Sequence, residues 1–493
     1  MRRNRNHSYT GAAVALLFLA AGCAVGPDYK SPEVSAPAGW QEGAQRGVDT
    51  RTADMAGWWK AFNDPLLDSL VERAVKSNLD LRIAEARIRE SRALIDVTSA
   101  GLWPSLNVSG SYSRNRSSRN AFGSFGSAGA GGTGGSGGSG GAGFSGGDLE
   151  HNLFQTGFDS EWEIDVFGGT RRQVEAARAT LEATIEDRRS VLVTLLGDVA
   201  RNYIDLRGLQ RRLAVAQANL RAQQDTLDLT RIRFDAGLAS DFDVAQAEGQ
   251  AKTTEAQIPT LQTALKQAAY GIDILLGAQP GTTWSELAKD APIPALPPEA
   301  HVGLPVDLLR RRPDIRSAER QLAAATAQVG AATADLYPKF SLLGNIGLQS
   351  ISASDWFTGR SRFWSIGPTI TWPVFDAGRI RATIEVRNAQ QEQALRLYER
   401  SVLTAFQDVE NALVNYGNEQ SRYRSLLDAV AANRRAVQMA NDLYVQGLVP
   451  FLNVLDSERT LYSSESDLAI SESTLASNLV ALYKALGGGW ETN

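Results

Sequence analysis

The chain has 493 residues, 50 Lys and Arg against 55 Asp and Glu, a net charge of −5 and one cysteine. This mildly acidic balance gives no reason to expect nucleic acid as a partner, and a lone cysteine excludes an intramolecular disulfide framework. Beyond the leader only His151 and His301 remain, neither with metal-ligand spacing, so no enzyme activity, metal or cofactor is expected.

In chain order, Arg2, Arg3 and Arg5 precede an apolar run from Ala12 to Ala21, too short to span a bilayer as a stable helix and therefore read as a targeting segment. The run ends in Leu19-Ala20-Ala21-Gly22-Cys23, a pattern that reads as a bacterial lipobox. Residues 1–22 are then a signal peptide, Cys23 carries diacylglycerol and a fatty acyl group, and 23–65 is a lipid-anchored extended segment. The match departs from the usual pattern in having Ala20 three residues before the cysteine, and Ala24 rather than Asp after it favours export to the outer membrane. Loss of the three leader arginines takes the net charge to −8. No later stretch approaches the ~20 apolar residues of a membrane helix, so any crossing has to be made by β-strands.

The rest is a duplication. Leu79-Asp80-Leu81-Arg82 returns as Pro313-Asp314-Ile315-Arg316, and Leu102-Trp103-Pro104 as Leu336-Tyr337-Pro338. Val166-Phe167 returns as Val374-Phe375, and Gly237-Leu238 as Gly447-Leu448, at a shorter offset. The difference nearly equals the Gly/Ser tract 121–147, which lies between the first two strands of copy one only. The organisation expected is a first repeat over 66–277, a linker 278–303, a second repeat 304–487 and a tail 488–493. The tract resembles a phosphate loop only superficially, because no basic residue and no helix start follows it. It reads as a flexible outer loop.

Within each repeat two kinds of periodicity alternate. Leu192, Val199, Leu206, Leu213, Leu220 and Leu227 recur every seven residues, as do Leu395, Val402, Val409, Tyr416, Tyr423, Val430, Val437 and Tyr444, which predicts long coiled-coil helices. The first is expected over about Thr170–Phe234, on the order of 100 Å. Phe158, Ser160, Trp162, Ile164 and Val166 alternate with Asp159, Glu161, Glu163 and Asp165, which gives a strand with one lipid-compatible face and one acidic face for a water-filled lumen. Trp364 to Val374 alternates likewise, and Leu106, Val108, Tyr112 and Phe340, Leu342, Ile346, Leu348 mark the first strand of each copy. Trp103, Tyr337, Trp364, Trp372 and Phe375 stand near strand ends, where interfacial aromatics belong. Four strands cannot close a barrel, so more than one chain has to pool them.

These motifs, with Cys23-Ala24-Val25-Gly26-Pro27-Asp28-Tyr29, Arg312-Pro313-Asp314-Ile315 and Trp372-Pro373-Val374-Phe375-Asp376-Ala377-Gly378, resemble the TolC family of outer membrane efflux proteins, in its OprM/NodT-like lipoprotein branch. The resemblance implies a fold that is mainly α with a transmembrane β-barrel portion. Its protomer carries four strands and long helices, and a homotrimer forms a 12-stranded barrel and an α-helical periplasmic barrel. It implies a passive exit duct in outer membrane lipid, served by a periplasmic membrane fusion adaptor and an inner membrane pump of the RND type. The alternatives are a duct for type I protein secretion and a non-transporting structural lipoprotein. Under the resemblance Gly237 and Gly447 mark tip turns, with Leu238, Ala239, Ser240, Leu448, Val449 and Pro450 presented to the adaptor. Asp243 and Tyr444 resemble a gating pair, while Asn453 and Asp456 occupy pore-constriction positions. From the residues alone, the alternative for Asp243 is a helix N-terminal acid favoured by the dipole.

Overall fold

The computed structural model describes residues 24–33, 35–42, 48–49, 55–116, 150–297 and 300–491. The leader, Cys23 and the tract 121–147 lie outside the described residues. The elements are β1 (Val48–Asp49), α1 (Pro65–Ser77), α2 (Leu79–Ala100), β2 (Ser105–Arg116), β3 (Glu150–Ile164), α3 (Gly169–Asp235) and α4 (Asp241–Leu275). They continue as α5 (Trp284–Leu287), β4 (Ala300–His301), α6 (Pro305–Arg311), α7 (Pro313–Ala334), β5 (Lys339–Ser350), β6 (Arg362–Thr371), α8 (Arg379–Val445) and α9 (Phe451–Ala485).

Four pairs of elements keep their length across the duplication, whereas β3 has 15 residues and β6 10. α2 and α7 each have 22 residues, β2 and β5 each 12, α3 and α8 each 67, and α4 and α9 each 35. A 67-residue helix is about 100 Å long. No helix among the described residues is long and apolar enough to cross a membrane.

The chain divides into two compact units. One holds the described residues up to Asp28 with Leu94–Ala177 and Thr326–Ala389. Its centre is a four-stranded sheet in the order β2-β3-β5-β6, antiparallel throughout. The indole of Trp162 donates to the carbonyl of Leu102 at 3.0 Å, and that of Trp372 to Leu336 at 3.0 Å, so the same tie fastens each copy's helix end to its strand. Two strand ends fall short of the alternation. β3 stops at Ile164 and β6 at Thr371, which leaves Val166, Trp372 and Val374 beyond the strands. Pro373 cannot donate to a ladder, which explains the second stop. Asp165, expected on the acidic face, instead accepts from the backbone N–H of Thr170 (3.2 Å) and Arg171 (2.8 Å). Unsatisfied N–H groups at the start of α3 claim its carboxylate. Asp376 serves α8 in the same way, accepting from Ile380 at 2.8 Å.

The other unit comprises the described residues of Tyr29–Ala93, Arg178–Ala325 and Gln390–Asn493. Its main core joins Trp58, Trp59, Phe62 and Leu70 to the heptad positions Leu192, Val199, Leu206, Val402, Val409 and Tyr416. Trp58 stacks on Tyr483 at 5.3 Å. Asp64 caps α1 through the N–H groups of Leu66 and Leu67 and also accepts from the Tyr203 hydroxyl at 2.7 Å. The Arg312-Pro313-Asp314-Ile315 segment is a clasp: Arg312 is held by Asp314 (2.7 Å) and Asp408 (3.0 Å) and donates to the Ala485 carbonyl at 3.1 Å. In the inter-repeat segment β4 pairs in parallel with β1.

Candidate functional site

The sheet has two chemically distinct faces, set by period-two geometry. Registers align Leu106, Val108 and Tyr112 with Phe154, Phe158, Trp162 and Ile164, then with Phe340, Leu342, Ile346 and Leu348, and finally with Trp364, Ile366, Pro368 and Ile370. These form one largely apolar face, interrupted by Thr156 and Ser160, and many are solvent-exposed in the protomer: Val108 is 72 % exposed and Trp364 75 %. From Phe154 to Ile164 this face runs ten residue steps, ~34 Å along the strand at ~3.4 Å per step, or ~26 Å of height at a tilt of ~40°, which suits the ~25 Å apolar band of a membrane barrel. The opposite face carries Ser105, Asn107, Ser109, Ser111, His151, Gln155, Asp159, Glu161, Glu163, Asn345, Ser365, Thr369 and Thr371, with Leu153, Leu343 and Phe363 as apolar exceptions. Asp159 accepts from the Asn107 amide at 3.1 Å. Among the described residues, β2 and β6 each have one unpaired edge.

The segment following Cys23 is fastened to the same unit. The Val25 N–H donates to the Phe167 carbonyl at 3.1 Å. Arg172, 5 % exposed, donates to the Val25 carbonyl at 3.2 Å and to Asp28 at 2.7 Å. A Cβ on Gly26 would lie 2.4 Å from the Gly330 Cα, so the backbones touch there. The sequence offers one signal for this clamp: Arg172 has Ala382 as its counterpart in the second copy.

In the helical unit the two turns expected at the tip are alike up to the glycine. Gly237 has φ +71° and Gly447 φ +75°. The Leu238 N–H bonds the Arg233 carbonyl and the Leu448 N–H the Leu443 carbonyl, each spanning five residues, as a Schellman termination does. Leu238 and Leu448 are 67 % and 66 % exposed, and Ser240 and Pro450 are exposed as well, whereas Ala239 and Val449 are half-buried. Beneath the turns Leu227, Ala247, Tyr444, Phe451, Val454 and Leu455 form a small separate core.

Within one chain no hydrogen bond joins the acid and the phenol expected as a gating pair. Asp243 completes a capping box: its N–H donates to the Ser240 Oγ at 3.2 Å, and its carboxylate accepts from the Ser240 N–H at 3.0 Å. Tyr444 is buried, its ring 5.6 Å from that of Phe451, with the Arg233 guanidinium 4.6 Å above it and no hydrogen-bond partner for the hydroxyl. Arg233 also donates to the Val445 carbonyl at 3.0 Å, so it ties the first turn to the second. Asn453 and Asp456 are exposed and lie on the side of α9 opposite Phe451, Val454, Leu455 and Glu458.

Glu458 was not singled out by the motifs. It is 7 % exposed and its carboxylate accepts from the Thr226 hydroxyl at 2.7 Å; burial pushes its pKa up, against the Thr226 hydrogen bond that lowers it. The signal was available, because a carboxylate four residues after Val454 falls on the apolar face of its own helix.

An antiparallel sheet with one apolar and one polar face, joined in sequence to duplicated 67-residue helices, defines a membrane channel protomer. The chain belongs to the outer membrane efflux protein family, whose model matches residues 70–278 and 304–488. It is 33 % identical to Nodulation protein T of Rhizobium leguminosarum bv. trifolii over 98 % of this chain and 97 % of that one. It is 32 % identical to the solvent efflux pump outer membrane protein SrpC of Pseudomonas putida, over 97 % and 98 %. Among solved structures the outer-membrane channel OprN superposes with a TM-score of 0.85 at 36 % identity, covering 95 % of this chain and all of that one. The chain is thus an outer membrane efflux channel subunit, mainly helical with a small antiparallel sheet.

Proposed function

We propose that three copies of this chain form the exit duct of a tripartite efflux assembly, closing one twelve-stranded barrel around the polar sheet face. The observation that supports this reading is the four-stranded sheet with one largely apolar face and, among the described residues, two unpaired edges. Open edges are not tolerated in lipid, four strands do not close, and twelve is an even number within the barrel range. Asp159, Glu161 and Glu163 then line the lumen, and Cys23 carries the lipid that holds the clamped segment 24–28 at the membrane.

The exposed Leu238 and Leu448, with Ala239, Ser240, Val449 and Pro450, form the surface offered to a periplasmic membrane fusion adaptor, itself bound to an RND-type pump. Asn453 and Asp456 face the pore and constrict it through polar rings. Asp243 and Tyr444 act as positioning residues for that constriction, one by capping α4 and the other by filling the core beneath the turns. The cargo is small toxic compounds, and the duct itself supplies no energy.

Deletion of the gene with a panel of solvents, dyes and antibiotics tests the function. Sensitisation to small toxicants is expected; unchanged tolerance with loss of a secreted protein would replace efflux with type I secretion. The purified protein is expected to run as a heat-dissociable trimer, and a monomer in mild detergent would sink the shared barrel. Radiolabelled lipid is expected on the wild type and absent from Cys23→Ser.

A further inference from the structure

The apolar sheet face ends in arginines at its two edges, on the side where the β2–β3 and β5–β6 connections lie. Outward along β2 the residues on this face are Leu106, Val108, Gly110, Tyr112, Arg114 and Arg116; outward along β6 they are Ile370, Pro368, Ile366, Trp364 and Arg362. Each edge strand therefore places an arginine one step beyond an aromatic ring, ~7 Å further along the strand. The rings form a belt: Tyr112 lies 4.8 Å from Phe154, Phe154 5.4 Å from Trp356, and Trp356 4.7 Å from Phe357. Aromatic belts sit at the level of lipid headgroups, so the arginines stand where headgroup phosphates lie.

We propose that Arg114, Arg116 and Arg362 bind the phosphate groups of an anionic, phosphorylated glycolipid in the outer leaflet. The inference rests on the barrel reading above, in which the apolar face meets lipid. Closing the barrel pairs β6 of one copy with β2 of the next, so the two arginine-bearing edges meet at every seam and the site is complete only in the oligomer. Charge favours the occupant. Glu150 pairs with Arg114 at 2.9 Å and Arg116 at 3.4 Å, one acid against two cations, and these exposed pairs exchange readily. Guanidinium forks match phosphate oxygens in a bidentate way.

The test uses the full lipidated oligomer in detergent, with a bisphosphorylated lipid A-type glycolipid and its dephosphorylated form as probes, followed by native mass spectrometry. The wild type is expected to retain the phosphorylated probe about tenfold more tightly or better, and Arg114→Gln/Arg116→Gln/Arg362→Gln to lose that preference while remaining a heat-dissociable oligomer. Should the triple variant not assemble, Arg362→Gln alone, which takes no part in the Glu150 pairs, is expected to weaken retention of the phosphorylated probe only. Equal retention of both probes by the wild type, an unchanged preference in the variants, or displacement by excess inorganic phosphate would overturn the proposal. A wild-type protein that runs as a monomer in mild detergent would overturn the barrel reading instead, and this one with it.

Discussion

The two tip turns share a backbone and differ in how the next helix begins. Both end a 67-residue helix with a left-handed glycine and a bond five residues back. After that, α4 starts with the Ser240 and Asp243 capping box, whereas α9 starts at Pro450 with no side-chain cap. Arg233 completes the asymmetry, because it crosses to the Val445 carbonyl and its counterpart Leu443 has no charge with which to reply. The duplication thus conserves the fold of the turn and releases its electrostatics. One tip is fastened internally, and the other is held largely by packing of Tyr444, Phe451 and Val454.

The shared part gives the largest expected effect. Nothing lies within 4 Å of a Cβ built on Gly237 or Gly447, so Gly237→Ala and Gly447→Ala meet backbone strain alone, about 1–2 kcal/mol each. Hydrogen exchange at the two turns is expected to accelerate to the same degree, and a markedly unequal response would show that the turns are not equivalent. The part that differs comes next. Ser240→Ala is expected to cost about 1 kcal/mol and to loosen the first turn of α4 without touching α9. Pro450→Ser with Asn453→Asp rebuilds the box in the second copy and is expected to slow exchange at the start of α9. Unchanged exchange at residues 241–244 after Ser240→Ala would remove the cap from the account.

Much of this was legible because repeats and periods are properties of the sequence itself. The heptads located α3 to within a residue at each end, and alternation placed Phe158, Trp162, Ile366 and Ile370 on one face. What the pattern could not reveal was competition for a side chain. Asp165 continues the alternation without a flaw, yet the N–H groups of Thr170 and Arg171 take it. Asp243 closes a capping box with Ser240, three residues away, a role that its likeness to a gating position does not carry. Arg172 and Glu458 act through residues distant in sequence, Asp28 and Thr226, and no local pattern encodes such contacts.

Burial at Glu458 makes a smaller, pH-dependent contribution on the uncapped side. A carboxyl whose folded pKa is raised binds its proton more tightly when folded, so stability falls as pH rises through the unfolded value and levels off above the folded one. Glu458→Gln removes the ionisable group and keeps an acceptor for Thr226. Its thermal dissociation temperature is expected to exceed that of the wild type at pH 8 and to converge with it at pH 4. A constant difference across that range would show that Glu458 does not titrate in the helical unit.

Tyr444→Phe has the smallest expected effect on stability and the sharpest bearing on the gate. The hydroxyl is buried without a partner, whereas the ring keeps its contacts with Arg233 and Phe451 in the variant. Removing an unsatisfied hydroxyl is neutral or stabilising by up to about 1 kcal/mol, so the dissociation temperature is expected to hold or rise slightly. Single-channel conductance of the closed state is expected to stay unchanged, because in this arrangement the ring, rather than the hydroxyl, supports the second turn. Arg233→Ala is the matched contrast, since it removes both the cation above the ring and the link to Val445, and it is expected to raise conductance. If Tyr444→Phe alone opened the channel, the hydroxyl would need a partner that one chain does not supply. The tip would then be latched between copies, and the uncapped turn would be the half of the duplication left free to make that contact.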